Sequence, residues 1–261
     1  MYRMGSNEKN MFSESSPHAS SSQDWPDLSF IQTDVHAHFL PGVDDGAKDL
    51  ETSLILISGM KQMGYEKLIV TPHIKQRSFP NQAGDLKTRF SAWQAALQLH
   101  GISMKTILAA EYFLDDHFLQ LVENGELLCF NSFSGRGYVL IEFSFHQPPE
   151  RAEENIRLIL DHAYIPVIAH PERYRYYHQQ FYVYESFKTL GCLLQLNLNS
   201  LTGYYGTEEQ TIALKLLRHG LIDYAGTDMH HVRHLHALKS LQQDPQLMKL
   251  LQDYPFQNMY L

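Results

Sequence analysis

The sequence predicts an α/β fold: a parallel sheet, closed or nearly closed into a barrel, with its chemistry at the C-terminal ends of the strands. Three observations carry this expectation. Short runs rich in Val, Ile and Leu alternate with helical patterns along the chain, as parallel strands joined by crossover helices do. About seven such units fit into roughly 230 residues, the proportions of a barrel rather than of a flat sheet. Finally, histidines and carboxylates recur where strand after strand ends: His36 and His38, His73, Glu111, Glu142, His170, then Asp228 with His230. Any one of them reads as a core or cap residue. Six strands ending this way form a pattern, and the C-terminal face is where such barrels keep their active sites.

Each element has its own justification. The first strand follows the apolar residues 28–31 and leaves through Thr33-Asp34-Val35-His36-Ala37-His38. Side chains alternate along a strand, so Asp34, His36 and His38 are expected to point the same way. The Asp44-Asp45-Gly46 turn follows, then a helix opening at residues 47–49 with Asp49 as N-cap. Leu54, Ile57, Ser58 and Lys61 fall at helical spacing within it, and Gly64 ends it. A second strand over residues 67–73 delivers His73. A helix ending at Gly101 leads to a third strand over residues 104–110, which delivers Glu111. A short helix spans residues 114–123, and a short strand residues 126–130. The fourth main strand, residues 137–143, carries Glu142. A helix over residues 148–163 precedes the fifth, which ends at His170. Residues 182–190 are expected as helix, 192–197 as strand, 207–219 as helix, and 221–230 as the seventh strand and its exit. One or two helices fill residues 235–253.

Composition bounds the rest. Of 261 residues, 44% are hydrophobic and 19% charged, enough for a sizeable core in one domain. Net charge is −8 with no basic block, which argues against a nucleic-acid partner. Two cysteines, Cys129 and Cys192, argue against a disulfide scaffold and for a reducing, cytoplasmic setting. No apolar run reaches the length of a membrane span, and the N-terminus lacks the apolar core of a signal peptide. Residues 1–27 are Ser-rich and polar and are expected to be a disordered extension, leaving residues 28–261 as a single domain.

With Asp45 from the turn, the strand-end residues make five imidazoles and four carboxylates. Nine ligand groups exceed what one ion needs, so two or three ions are implied if the groups converge. Three divalent ions, about six positive charges, against four carboxylates and one hydroxide leave about one net positive charge. Such a site attracts a phosphate dianion and favours hydrolysis by in-line attack of hydroxide on phosphorus. A lone His-x-His also fits two surface histidines beside a turn, so the convergence decides.

The stretches Asp34-Val35-His36-Ala37-His38-Phe39-Leu40-Pro41-Gly42-Val43-Asp44-Asp45-Gly46-Ala47, Val70-Thr71-Pro72-His73, Ala110-Glu111, Ala169-His170-Pro171-Glu172-Arg173-Tyr174 and Gly226-Thr227-Asp228-Met229-His230 together resemble one superfamily. It is the polymerase and histidinol phosphatase (PHP) superfamily, and within it the bacterial manganese-dependent protein tyrosine phosphatases of capsular and exopolysaccharide systems. The resemblance covers residues 30–250 and implies a distorted, TIM-like (β/α)7 barrel, the PHP fold, with a trinuclear metal centre. It implies that His36, His38, Asp45, His73, Glu111, Glu142, His170, Asp228 and His230 are the ligands, with Glu111 bridging two ions. Mn²⁺ is the implied metal, with Fe or Zn also suited to His and carboxylate. Arg173 is implied to bind phosphate through its planar guanidinium. The family pattern carries a second phosphate-binding arginine beyond the Asp-x-His pair. Here Arg233 is the candidate, at a shorter spacing, with His231 as a substitute. The implied partner is a phosphotyrosyl protein, the tyrosine-rich tail of an autophosphorylating kinase that regulates polysaccharide export.

Other readings remain beside this one. A cysteine-based phosphatase needs a thiolate, five intervening residues and an arginine. Cys129 has six residues before Arg136, and Cys192 has no arginine at that distance, so both read as buried structural thiols. A histidinol-phosphate or other small phosphomonoester phosphatase could use a similar ligand set. A non-catalytic metal-binding scaffold is the third reading. Tyr174, Tyr176, Tyr177, Tyr182 and Tyr184 fit either packing or an aromatic rim for a peptide.

Overall fold

A computed structural model describes residues 25–131 and 136–261. The first strand, β1 (Thr33–Ala37), is followed by α1 (Leu50–Gln62). Asp49 caps that helix, its carboxylate accepting from Thr52 N at 2.8 Å. The buried face of α1 is Ser53, Leu56, Ile57, Gly59 and Met60; of the four residues expected at helical spacing only Ile57 lies on it.

The next expected strand is split. β2 (Lys67–Val70) and β3 (His73–Ile74) are separated at Thr71-Pro72, where proline has no N–H to give to a ladder. After α2 (Ala83–Leu99), the expected strand over residues 104–110 is β4 (Lys105–Leu108), and a further short strand, β5 (Glu111–Phe113), begins at Glu111 past Ala109-Ala110. α3 (Asp116–Asn124) is capped by Asp115 and closed by Gly125 in the left-handed region, φ 71°. The short β6 (Phe130–Asn131) runs antiparallel to β7 (Gly137–Glu142). α4 (Ala152–Asp161) starts later than expected, after the Pro148-Pro149 pair. β8 (Tyr164–Ala169), α5 (Tyr182–Leu190) and β9 (Leu193–Asn197) follow expectation. A four-residue helix, α6 (Leu198–Leu201), was not foreseen. The chain ends through α7 (Thr207–Arg218), β10 (Tyr224–Gly226), α8 (Val232–Leu238), α9 (Pro245–Asp253) and a 3₁₀ turn, Gln257–Tyr260.

The ladders form two parallel sheets, not one hydrogen-bonded cylinder. One is β1-β2-β4; the other runs β10-β9-β8-β7-β5-β3, with β6 on β7. The sheets meet at both seams. At the first, the β2/β4 ladder runs on into β3/β5: Ala109 N donates to Val70 O at 2.9 Å and Glu111 N to Pro72 O at 3.1 Å. Across the second, Asp228 N donates to His36 O at 2.8 Å and His38 N to Met229 O at 3.0 Å. Asn258 ties that seam from below, giving its amide to Thr33 O and Ala225 O, both at 2.7 Å. An apolar cluster of Val35, Ile69, Ala109, Phe130, Leu140, Val167, Ala169 and Tyr224 fills the space between strands of both sheets. The main core lies outside it, between strands and helices.

Among the described residues no helix is long and apolar enough to cross a membrane. Of the expected N-terminal extension, residues 1–24 lie outside the described residues. Trp25 already packs on the body of the protein, its ring stacked 6.4 Å from His236 and under Lys239 Nζ at 4.0 Å.

Candidate metal centre

Backbone irregularity aims the first ligands. Thr33 pairs with Lys67 and Asp34 with Leu68, but Ala37 pairs with Val70, so β1 carries a bulge of one extra residue. Bulges re-aim side chains beside active sites. This one separates Asp34 from the histidines it was expected to accompany. Asp34 instead accepts from Thr227 N at 3.0 Å and Thr227 Oγ1 at 2.6 Å, clamping β1 to the end of β10. Burial pushes its carboxyl up to about 6, against those hydrogen bonds. His170 and Asp228 end β8 and β10 with positive φ, 35° and 49°. Non-glycine residues held there store strain, which clusters at functional sites.

The nine expected residues converge. His36 Nε2 lies 3.2 Å from Glu111 Oε2 and 3.3 Å from Asp228 Oδ1. His38 Nε2 lies 3.1 Å from His36 Nε2 and 3.4 Å from Glu111 Oε2. His73 Nδ1 is 3.0 Å from Glu111 Oε2 and 3.4 Å from Glu142 Oε1. His170 Nε2 reaches Glu111 Oε1 at 3.1 Å. Asp45 Oδ1 lies 3.4 Å from both His73 Nε2 and His230 Nε2. Three overlapping groups have ligand atoms within 4.8 Å of one another: His36, His38, Glu111 and Asp228; His73, Glu111 and Glu142; His38, His73 and His230. Glu111 belongs to two of them, at the middle of the cluster.

Their surroundings fit divalent cations. Glu111 Oε2, Glu142 Oε1, His73 Nδ1 and His170 Nδ1 are buried without a hydrogen-bond partner in the protein. Buried polar atoms left this way are costly unless something outside the chain satisfies them. The titration pattern matches a cluster with more lone pairs than protons to bridge them. Burial pulls His36 down, but Glu111 and Asp228 outweigh it and raise it to about 9. Burial dominates at His73, lowering it to about 4, and at His170, also lowered. Burial and then the neighbouring Glu111 push Glu142 up to about 8. Glu111 and Asp228 are held well below the carboxylate range, the imidazoles overcoming burial.

Several partners of these ligands were not picked out from sequence. Gln195 Oε1 accepts from His36 Nδ1 at 2.8 Å and Asp44 Oδ2 from His38 Nδ1 at 2.9 Å. Each fixes the ring's orientation, so that Nε2 faces the cluster, where a cation would displace its proton. Asn197 Nδ2 donates to Asp228 Oδ2 at 2.9 Å. Gln195 and Asn197 alternate with leucines along β9, and that two-residue polar period was the available signal. Gly226 leaves the room they need: a Cβ there would lie 2.6 Å from Gln195 Nε2 and 2.8 Å from His36 Cβ.

The cluster opens into a cavity of about 400 Å³, lined also by Lys75, Phe79, Phe145, Arg173, Tyr205, His231 and His234. Arg173 Nη1 donates to Asp228 Oδ2 at 2.8 Å, and its guanidinium carbon sits 4.1 Å from the Tyr205 ring centre and 4.6 Å from that of Phe145. Arg233 does not come here. It is exposed on the first turn of α8 and is absent from the cavity wall among the described residues; His231, the N-cap, and the buried His234 take that wall. The thiols stand apart: Cys192 is buried and pushed up to about 12, whereas Cys129, expected to be buried, is only half so. Tyr174, Tyr177 and Tyr184 are core residues, and of the tyrosine run Tyr182 is the most exposed. Packing accounts for most of the run.

Fold and cluster together define a divalent-metal-binding α/β protein. The chain belongs to the CpsB/CapC family of capsular polysaccharide synthesis, whose profile matches residues 32–241. It is 29% identical over 210 residues to the tyrosine-protein phosphatase YwqE of Bacillus subtilis, covering 80% of this chain and 82% of that one. It is 25% identical over 199 residues to the putative tyrosine-protein phosphatase CapC of Staphylococcus aureus, 76% and 77% of the two chains. A solved structure from work on YwqE and on CpsB of Streptococcus pneumoniae, described as metal-dependent tyrosine phosphatases, superposes with a TM-score of 0.73 at 26% identity. It covers 86% of this chain and 96% of that chain.

Proposed function

We propose that this protein is a metal-dependent protein-tyrosine phosphatase of capsular or exopolysaccharide synthesis. The observation that carries it is Arg173, clasped between two rings and bonded to Asp228 at the edge of the metal cluster, in a chain of this family. His36, His38, Asp45, His73, Glu111, Glu142, His170, Asp228 and His230 would hold up to three divalent ions, Mn²⁺ foremost, with Glu111 bridging. Bound there, such ions neutralise phosphate charge and lower the pKa of water, so that a nucleophile is available near neutral pH.

The chain's own groups supply binding and orientation. Arg173 spends one N–H on Asp228 and keeps its remaining donors for the phosphate oxygens, a planar fork matched to that anion. Asn197 and Arg173 share Asp228 Oδ2, leaving Oδ1 to the cluster. Gln195 orients His36 in β1, and Asp44 orients His38 just past its end. The interior apolar cluster and both seams support reading the two sheets as a distorted (β/α)7 barrel of the PHP type. We assign residues 28–261 to this one domain and residues 1–27 to an extension, place the protein in the cytoplasm, and take the tail of a bacterial tyrosine kinase as its partner. The expectation of no nucleic-acid partner rests on the charge of −8.

The test is phosphate release from a phosphotyrosine peptide and from histidinol phosphate, side by side, with purified protein and Mn²⁺. Turnover of the peptide alone, abolished by a chelator, is expected. Turnover of histidinol phosphate alone keeps the metal site but replaces the biology. Metal binding without turnover of either gives the scaffold reading first place.

A further inference from the structure

Two aromatic rings face the cavity that the hydrolytic chemistry does not itself require. On one side Phe79 lies nearly parallel to the His73 imidazole, centroids 5.3 Å and planes 10° apart. Its place is set by the backbone: Lys75 N donates to Phe79 O at 2.9 Å, and Phe79 N to Lys75 O at 2.8 Å. These two bonds close a hairpin whose tip, residues 76–78, is exposed. On the other side Phe145 packs 5.4 Å from the His170 ring and 4.6 Å from the Arg173 guanidinium carbon. Phe145 is nonetheless 41% exposed. A lone exposed phenylalanine is ordinary. Two that line one cavity, each resting on a different imidazole of the ligand cluster, place apolar area where a bound molecule has to pass.

We propose that Phe79 and Phe145 form an aromatic slot that selects aryl over alkyl phosphomonoesters, taking the substrate's phenyl ring between them while its phosphate meets the cluster and Arg173. The proposal rests on the phosphatase reading and adds its source of selectivity. His73 meets Glu111 Oε2 at 3.0 Å and His170 meets Glu111 Oε1 at 3.1 Å, so the rings resting on these two imidazoles flank the middle of the cluster, and the ester group of a phosphate held there by Arg173 would pass them both. An aryl ester meets a ring face or edge on either side, in the offset and edge-to-face arrangements that aromatic pairs favour. A phosphoserine presents only a methylene there and leaves both phenylalanines in water.

The experiment measures kcat/KM for phosphotyrosine and for phosphoserine in the metal-loaded parent, Phe79→Leu and Phe145→Leu, with metal content determined for each. Comparing ratios between proteins removes the greater intrinsic reactivity of aryl esters. Each leucine variant is expected to lower the aryl-to-alkyl ratio about three- to tenfold, chiefly through KM, and Phe79→Tyr to restore it. Equal losses on both substrates would show that the rings only support His73 and Arg173, overturning the slot and leaving the phosphatase intact. A parent that hydrolyses neither ester with metal bound overturns the phosphatase reading and the slot with it. Should a leucine variant misfold, inhibition of the parent by phenylphosphonate and methylphosphonate decides. Roughly tenfold tighter inhibition by the phenyl compound supports the slot, and equal inhibition removes it.

Discussion

The strand-end wall of the cavity and its α8 wall are built from the same residue types, histidines close to carboxylates, yet to different specifications. At the strand ends, His36 and His38 each give one nitrogen to a fixed acceptor and turn the other toward Glu111 and Asp228. Glu111 Oε2 and Glu142 Oε1 have no hydrogen-bond partner of their own. On the α8 wall, His231 caps the helix by accepting from His234 N, and His234 Nδ1 donates to Asp228 O at 3.1 Å. Arg233 turns to solvent between them. The Nδ1 atoms of one wall are tied to the backbone, whereas the other wall leaves carboxylate oxygens without a partner. Residue type therefore does not mark a ligand; convergence together with an unmet lone pair does.

The sharpest way to break this contrast is to empty the strand-end wall. Glu111→Ala and His170→Ala are expected to lose metal and, with it, turnover by three orders of magnitude or more. Arg173→Ala should lower kcat by about 10²–10³ while metal content, read by elemental analysis, stays intact. Equal metal loss in all three variants would erase the division between holding metal and holding phosphate.

How much of this the chain advertises differs between the walls for a physical reason. The convergence of the strand-end histidines and carboxylates was legible because they follow runs of Val, Ile and Leu, and parallel strands end at the same face as their neighbours. What was not legible depended on backbone detail. A one-residue bulge left the Asp34 carboxylate on the backbone of His36 and Thr227 rather than among the imidazoles, and Pro72 split one long strand into two pairings. Gln195 and Asn197 carried a readable two-residue period, but nothing local says that they reach His36 and Asp228 across the sheet. Arg233 was a candidate by its short spacing after the Asp-x-His pair, and spacing alone does not say that the His231 cap leaves it on the exposed face of α8.

A smaller effect tests the layer beneath Arg173. Glu172 is fully buried; its Oε1 accepts from Ser200 Oγ at 2.6 Å and Asn197 N at 3.1 Å, while Oε2 has no partner. Burial raises its carboxyl from an ordinary 4.5 to about 7 despite those bonds. The folded state thus holds this proton more tightly than the unfolded one. Its contribution is fully present below pH 4.5 and is lost as pH rises through about 7. Glu172→Gln keeps the accepting oxygen and removes the charge. Relative to the parent, the variant should gain on the order of 2–3 kcal/mol in unfolding free energy between pH 5 and pH 8, measured by urea denaturation. Parallel pH profiles for the two proteins would mean that Glu172 stays ionised beside Arg173.

The smallest effect separates the two remaining cations. Arg233 is exposed on α8, outside the cavity wall. Lys75 lines the cavity, its Nζ 3.6 Å from Glu142 Oε1 and 4.2 Å from the centre of the Phe113 ring. A solvated charge at the rim is screened within about 10 Å at ordinary ionic strength, whereas one beside buried carboxylates is not. Arg233→Ala should therefore change kcat/KM by less than about twofold, with a slight salt dependence and no change in inhibition by inorganic phosphate. Lys75→Met should raise KM, and the inhibition constant for phosphate, about three- to tenfold. The reverse outcome would have a specific structural meaning: the first turn of α8 would have to rotate when substrate binds, bringing Arg233 over the phosphate. The α8 wall would then belong to the working site rather than to its frame.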